Sequence, residues 1–308
     1  MRRTAVDRAA GAVRRPGPSS RASAAVAFVA IALLAAGCAT PSPEVAASEA
    51  PTSATPGSPT PSDGAEQLPS GAAETTLSEV LDHVHGLVVV DDGTLRAGTH
   101  TGVVAVTGTG SVSRIGTSRD DLMGMTGVPG TDLLATSGHP GAGSSLPNPV
   151  GLVLSDDAGL TWSAISLTGE VDFHALATDG TLLVGYGGGG RVLKSTDGGA
   201  TFAPGGSLAP AALAINPAGV WATTADGLQR STDRGSTFEV VDDAPVLVLI
   251  ASGPDGSLWG VDTAGVAWRS LDGNSWEERA VVGPVEALAV AEHATAYAMT
   301  ATALFTLT

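Results

Sequence analysis

The chain has 308 residues, 43% of them hydrophobic, and a formal net charge of −16. From Cys38 onward only nine basic residues stand against 30 acidic ones, which argues against nucleic acid or an anionic lipid surface as a partner of the protein's main body. Forty-one Gly, 19 Pro and one Cys argue against a helical bundle, and exclude an internal disulfide or a cysteine-based zinc cluster.

Residues 2–21 are basic, with arginine pairs at Arg2-Arg3 and Arg14-Arg15. An apolar run over 24–34 follows, too short for a comfortable membrane span, and leads into Ala35-Ala36-Gly37-Cys38. A basic segment, a short apolar core and small residues at a cut point make a secretory signal. After Leu33-Leu34, the last four residues resemble a bacterial lipobox, with Ala where Leu is commonest. That resemblance implies removal of residues 1–37 and a lipid on Cys38. The protein is then expected on the outer face of the cell membrane, or secreted. Residues 38–74 are mostly Ala, Pro, Ser, Thr, Gly and Glu. They cannot bury enough apolar surface to offset their ordering entropy, so they read as a disordered tether.

The expected folded part, 75–308, is a repeat. Ser155-Asp156-Asp157-Ala158-Gly159-Leu160-Thr161-Trp162 returns as Ser195-Thr196-Asp197-Gly198-Gly199-Ala200-Thr201-Phe202 and as Ser231-Thr232-Asp233-Arg234-Gly235-Ser236-Thr237-Phe238. A fourth copy, Ser270-Leu271-Asp272-Gly273-Asn274-Ser275-Trp276, is one residue short. The opening serines lie 40, 36 and 39 residues apart. In each copy an apolar strand runs into Ser. A tight turn follows, with Asp to accept backbone N–H groups and Gly for positive φ. Thr or Ser and an aromatic then open the next strand, and the aromatic is expected to bury itself between sheets.

These copies resemble the Asp-box, or BNR repeat, of sialidase-like β-propellers. The resemblance implies that Asp157, Asp197, Asp233 and Asp272 are structural, joining the third and fourth strands of a blade. Inner strands are expected near His85, Met123, His174, Ala211, Leu247 and Val285. Second strands follow at 95–98, 132–137, 182–186, 219–223, 257–261 and 295–300, and third strands at 102–106, 151–155, 191–195, 227–231, 266–270 and 303–306. The fold class is therefore all-β, a six-bladed propeller, with seven blades as the alternative. The last blade lacks a fourth strand, which residues 75–81 could supply.

Aligned by period, His85-Gly86-Leu87, Met123-Gly124-Met125, His174-Ala175-Leu176 and Glu286-Ala287-Leu288 fall in register, with His83, Asp121 and Asp172 one step outward. Two further histidines, His100 and His139, sit at strand ends. This convergence makes His83, His85, His174, Met123 and His139 a candidate ligand set. Imidazole with thioether suits copper, and imidazole with carboxylate suits zinc. Asp121, Asp172 and Glu286 are candidate carboxylates for glycoside hydrolysis. The sialidase catalytic set does not carry over. The only tyrosines, Tyr186 and Tyr297, fall on second strands, Ser113-Arg114-Ile115-Gly116 is a poor substitute for the family's early arginine motif, and of the arginines Arg230 and Arg269 are expected at the rim while Arg119 could approach the channel. The stretches His83-Val84-His85-Gly86-Leu87, Asp121-Leu122-Met123-Gly124, Ser137-Gly138-His139-Pro140 and Asp172-Phe173-His174-Ala175-Leu176 resemble secreted bacterial Asp-box proteins of a glycosylhydrolase-like group. Whether this is an enzyme stays open. The expectation is a monomeric surface lipoprotein that binds a ligand, a metal ion among the candidates, at the channel mouth. The alternatives are a glycan hydrolase and an assembly scaffold for an envelope protein.

Overall fold

The computed structural model describes residues 71–292 and 294–308. The expected secretory signal, Cys38 and most of the expected tether lie outside the described residues. Among those described there is no helix.

The first strand, β1 (Ala72–Thr76), belongs to the end of the fold. Blade 1 follows as β2 (Gly86–Val89), β3 (Leu95–Thr99), β4 (Gly102–Val106) and β5 (Val112–Ile115). Blade 2 contains β7 (Thr126–Gly127), β8 (Leu134–Thr136), β10 (Leu152–Ser155) and β11 (Ser163–Ser166), with a separate two-stranded ladder of β6 (Asp121–Leu122) and β9 (Gly138–His139). Blade 3 is β12 (Ala175–Thr178), β13 (Leu183–Tyr186), β14 (Leu193–Ser195) and β15 (Ala203–Pro204). Blade 4 is β16 (Ala212–Asn216), β17 (Gly219–Thr224), β18 (Gly227–Ser231) and β19 (Glu239–Val240). Blade 5 is β20 (Leu247–Ser252), β21 (Leu258–Asp262), β22 (Val266–Ser270) and β23 (Glu277–Val281). Blade 6 is β24 (Ala287–Glu292), β25 (Thr295–Met299) and β26 (Ala303–Leu307), completed by β1.

Each blade is a four-stranded antiparallel meander, and the six inner strands touch in the closed order β2, β7, β12, β16, β20, β24. Six blades are present, not seven. The closing strand begins three residues before the expected 75–81 stretch: Ala72 pairs with Leu307 and Thr76 with Ala303. Arg279 adds a clasp, its Nη2 donating to the Thr308 carbonyl at 2.7 Å. This pairing removes the free edge that β26 would otherwise present.

Two second strands carry the largest fully buried side chains. Trp221 on β17 and Trp259 on β21 are fully buried. The core is six apolar clusters set between neighbouring blades, the seam cluster uniting Leu77, Leu81 and Leu87 with Ala287, Met299 and Leu304.

The four Ser-x-Asp turns join third to fourth strands and share one hydrogen-bond scheme. In the first, Ser155 Oγ donates to Asp157 Oδ1 at 2.8 Å and accepts the Gly159 N–H at 2.8 Å. Asp157 also takes the Thr161 N–H at 2.9 Å and the Thr161 hydroxyl at 2.6 Å. Asp197 and Asp233 repeat this with Thr201 and Thr237. The short fourth copy keeps the Ser270–Asp272 contact and uses the Asn274 and Ser275 N–H groups. These donors hold all four carboxyls below the usual carboxylate range, Asp197 at about 2. The turn aromatics depart from expectation. Trp162, Phe202, Phe238 and Trp276 are only half-buried, because the outermost strand has sheet on one side alone.

Candidate metal centre at the channel mouth

The inner strands enclose a channel whose cavity is about 140 Å³, with His85, His174 and Glu286 among its lining. In a meander of this order, the segments leading into inner strands share one end of the ring with the turns between second and third strands. The Ser-x-Asp turns lie at the other end. Every described histidine lies at the first end.

Val84 is buried in the seam core, so alternation turns His83 and His85 away from it. His83 has φ 125°, a left-handed value uncommon for a residue with a side chain. Glu286 holds this segment from the last blade. Its Oε2 accepts the Val84 N–H at 2.8 Å and lies 3.4 Å from His83 Nδ1. The His83 and His85 rings meet edge-on at 4.6 Å, and His83 stacks on His100 at 5.6 Å.

His100, in the β3–β4 turn, reaches Asp121 on β6. Its Nδ1 is 2.9 Å from Asp121 Oδ1 and 3.3 Å from His85 Nε2, and His85 Nε2 is 3.4 Å from the same carboxylate oxygen. Three candidate ligand atoms thus form a compact triangle. The His85 side chain is 9% exposed. Burial, then the neighbouring His83, push its pKa down to about 4, with Asp121 opposing. The ring is therefore neutral near pH 7 and keeps a lone pair for a metal.

A second group adjoins the first. His139 closes β9 directly opposite Asp121 on β6. His139 Nε2 is 3.3 Å and His174 Nε2 3.2 Å from Asp172 Oδ2. Asn148 Oδ1 lies 2.7 Å from His139 Nδ1. Between Asp172 and His174, Phe173 is fully buried. Its N–H donates to Ser137 Oγ at 2.9 Å and its carbonyl accepts the Gly124 N–H at 2.9 Å. These two bonds lash blade 3 to blade 2, and alternation around Phe173 sends both polar neighbours to the rim.

The five-residue ligand set expected from register is thereby divided. His85 joins His100 and Asp121, with His83 packed on them. His174 and His139 share Asp172 instead. Met123 enters through its backbone, its N–H donating to the Ser137 carbonyl. Met125 lines the channel in its place. His100 was not in the expected set. The signal for it is topological, since a second-to-third-strand turn opens at the same end as the inner-strand starts. Arg119 does not approach the channel. It is exposed, donates to the Gly116 and Ser118 carbonyls and lines a separate recess. All three candidate carboxylates, Asp121, Asp172 and Glu286, are engaged by imidazoles.

Neither a protein-family model nor a curated protein sequence matches the chain. Solved structures do. A gluconolactonase from Xanthomonas campestris superposes with a TM-score of 0.58 at 11% identity, covering 80% of this chain and 93% of its own. YCF48 bound to a D1 peptide gives 0.52 at 13%, covering 78% and 99%. A GH74 enzyme of Niastella koreensis gives 0.51 at 16%, covering 74% of this chain and 42% of that one. At these identities the likeness is one of fold.

Proposed function

We propose that this is a lipid-anchored envelope protein whose propeller takes up a divalent metal ion of the zinc type through His85, His100 and Asp121. The observation that carries this reading is the triangle of ligand atoms, with edges of 2.9, 3.3 and 3.4 Å. Metal–ligand bonds of about 2.0–2.1 Å in a tetrahedron place ligand atoms about 3.3 Å apart. The triangle therefore has the size of one face of such a site, with the fourth position left for water or a bound ligand. A zinc ion there would polarise a bound oxygen. Two imidazoles with a carboxylate suit zinc better than monovalent copper, which favours thioether and thiolate.

The Ser-x-Asp turns, with their shared bonding, support kinship with the Asp-box proteins of the BNR, sialidase-like kind. Ala35-Ala36-Gly37-Cys38 supports anchoring through Cys38 at the outer face of the membrane. A glycan hydrolase is the second reading, supported by the GH74 fold likeness and by Asp121, Asp172 and Glu286 at one rim. Their engagement by imidazoles favours holding a ligand over free acid–base duty. An assembly scaffold is a third reading, supported by the fold likeness to a peptide-bound propeller.

The test is elemental mass spectrometry of the protein expressed without a histidine tag, followed by zinc and copper titration. The expected result is zinc bound tightly by the wild type, with affinity lost in His85→Ala, His100→Ala and Asp121→Asn. A protein that ignores both ions would overturn the proposal.

A further inference from the structure

We infer that the recess beside the outer strands of blade 2 binds a saccharide carrying a carboxylate, a hexuronate unit, through Arg119, Leu160 and Trp162. The recess has a volume of about 440 Å³, within the range of about 300–1,000 Å³ usual for small-molecule sites. It shares no lining residue with the channel, so the inference does not rest on the metal site.

The recess forms where blade 2 departs from its own repeat. In the other five blades two to six residues join the second strand to the third, whereas in blade 2 residues 137–151 do so. Long connections in a compact domain commonly carry function, and residues 142–146 of this one form a wall of the recess. Another wall is the first Ser-x-Asp turn. Leu160 stands there where the next two copies have Ala200 and Ser236, and it is 56% exposed. Trp162 packs against the core cluster of Val103 and Leu134 and also lines the recess. A long connection and an apolar turn residue thus meet at one place.

The frame around them is fixed. Asp120 is buried. Its Oδ1 accepts the Gly141 N–H at 2.8 Å and its Oδ2 accepts the Ser118 hydroxyl at 2.9 Å. A Cβ on Gly141 would lie 1.8 Å from the Arg119 carbonyl oxygen, so the two loops touch backbone to backbone. Walls held this way need little ordering when a ligand enters.

The chemistry on offer is mainly that of donors. Arg119 uses Nη1 on the Gly116 and Ser118 carbonyls, and its Nε and Nη2 have no partner among the described residues. The Thr117 and Ser145 hydroxyls and the Trp162 indole N–H are likewise unpartnered there. Both oxygens of Asp120, the carboxylate in this lining, are already engaged. A guanidinium with free N–H groups matches a carboxylate. The indole and the Leu160 side chain match the C–H face of a pyranose, and the hydroxyls match those of the ring. A peptide would bring backbone N–H groups of its own and meet few side-chain acceptors.

The experiment is calorimetric titration of the full chain with trigalacturonic acid and with neutral galactotriose, both in chelator. The acidic trimer should bind the wild type more tightly than the neutral one. Arg119→Gln should weaken it about tenfold or more, toward the neutral value, and Leu160→Ser and Trp162→Ala should weaken it as well. Arg119 and Leu160 are exposed, so these two variants carry the test if the circular dichroism melt shows that Trp162→Ala disturbs the fold. His85→Ala should bind the acidic trimer like the wild type, which separates this site from the metal site. No uptake of the acidic trimer, or uptake unchanged in Arg119→Gln and Leu160→Ser, would overturn the inference. Tighter binding of trialanine with a free C-terminus, lost in Arg119→Gln, would also overturn it and make the recess a peptide site.

Discussion

Gly273→Ala is the sharpest probe of how the blades fit together. Gly273 sits just after Asp272 in the fourth Ser-x-Asp turn with φ +76°. A methyl group placed there would meet Trp221 Cη2 at 2.0 Å and Cζ2 at 2.4 Å. The indole cannot retreat. It is fully buried, its Nε1 donates to Asn216 Oδ1 at 2.8 Å, and the Arg230 guanidinium lies over it at 5.1 Å. The left-handed backbone costs a side-chain residue about 1 kcal/mol, and overpacking a rigid core adds about 1–3 kcal/mol. For a body of this size the sum of about 2–4 kcal/mol corresponds to a fall of roughly 4–16 °C in Tm. Gly198 is the control. It follows Asp197 in the second turn with φ +71°, and a methyl group there would meet nothing within 4 Å. Gly198→Ala should therefore cost only the backbone term, about 1 kcal/mol or roughly 2–4 °C. Differential scanning calorimetry of both variants decides the matter. Equal shifts would refute the claim that the fourth turn is seated on the Trp221 ring.

Other perturbations test other joints of the fold. Burial lowers the His85 pKa from 6.5 to about 4, so the unfolded chain takes up this proton at higher pH than the folded chain. The stability tied to the neutral ring is complete above pH 6.5 and declines as pH falls toward 4. In the presence of chelator, urea midpoints should fall between pH 7 and pH 5 by an amount equivalent to about 1–2 kcal/mol, allowing for partial solvation. His85→Gln should flatten that slope, and equal slopes in the two proteins would contradict it. Phe173→Ala removes a fully buried ring and should cost about 3–5 kcal/mol in chemical denaturation. A loss under about 1 kcal/mol would show that the ring does not anchor blade 3. Deleting residues 71–76 exposes the β26 edge. The product should melt earlier and self-associate in light scattering, whereas an unchanged monomer would mean that the ring closes without β1.

Much of this architecture is legible along the chain because propeller repeats are local. A strand ending in Ser, an Asp that gathers its own turn's N–H groups and a Gly in the left-handed region act within eight residues, so Ser155–Trp162 and its copies mark the strand 3–4 turns without tertiary help. Inner strands expected near His174 and Ala211 begin at Ala175 and Ala212. The half-exposure of Trp162 and Phe202 was not legible, since it depends on which strand ends up outermost. Nor was the partition of the site. Period-matching puts His85, Met123 and His174 in equivalent places, but equivalence around a ring does not bring side chains into contact. Contact was decided by the β6–β9 ladder, which carries Asp121 toward His100 and His139 toward Asp172, and by Glu286 reaching across the closing seam to Val84. Turn chemistry is written within a few residues of sequence and determined the blades. Which imidazole meets which carboxylate depends on how separate blades pack, and only the closed ring decided that.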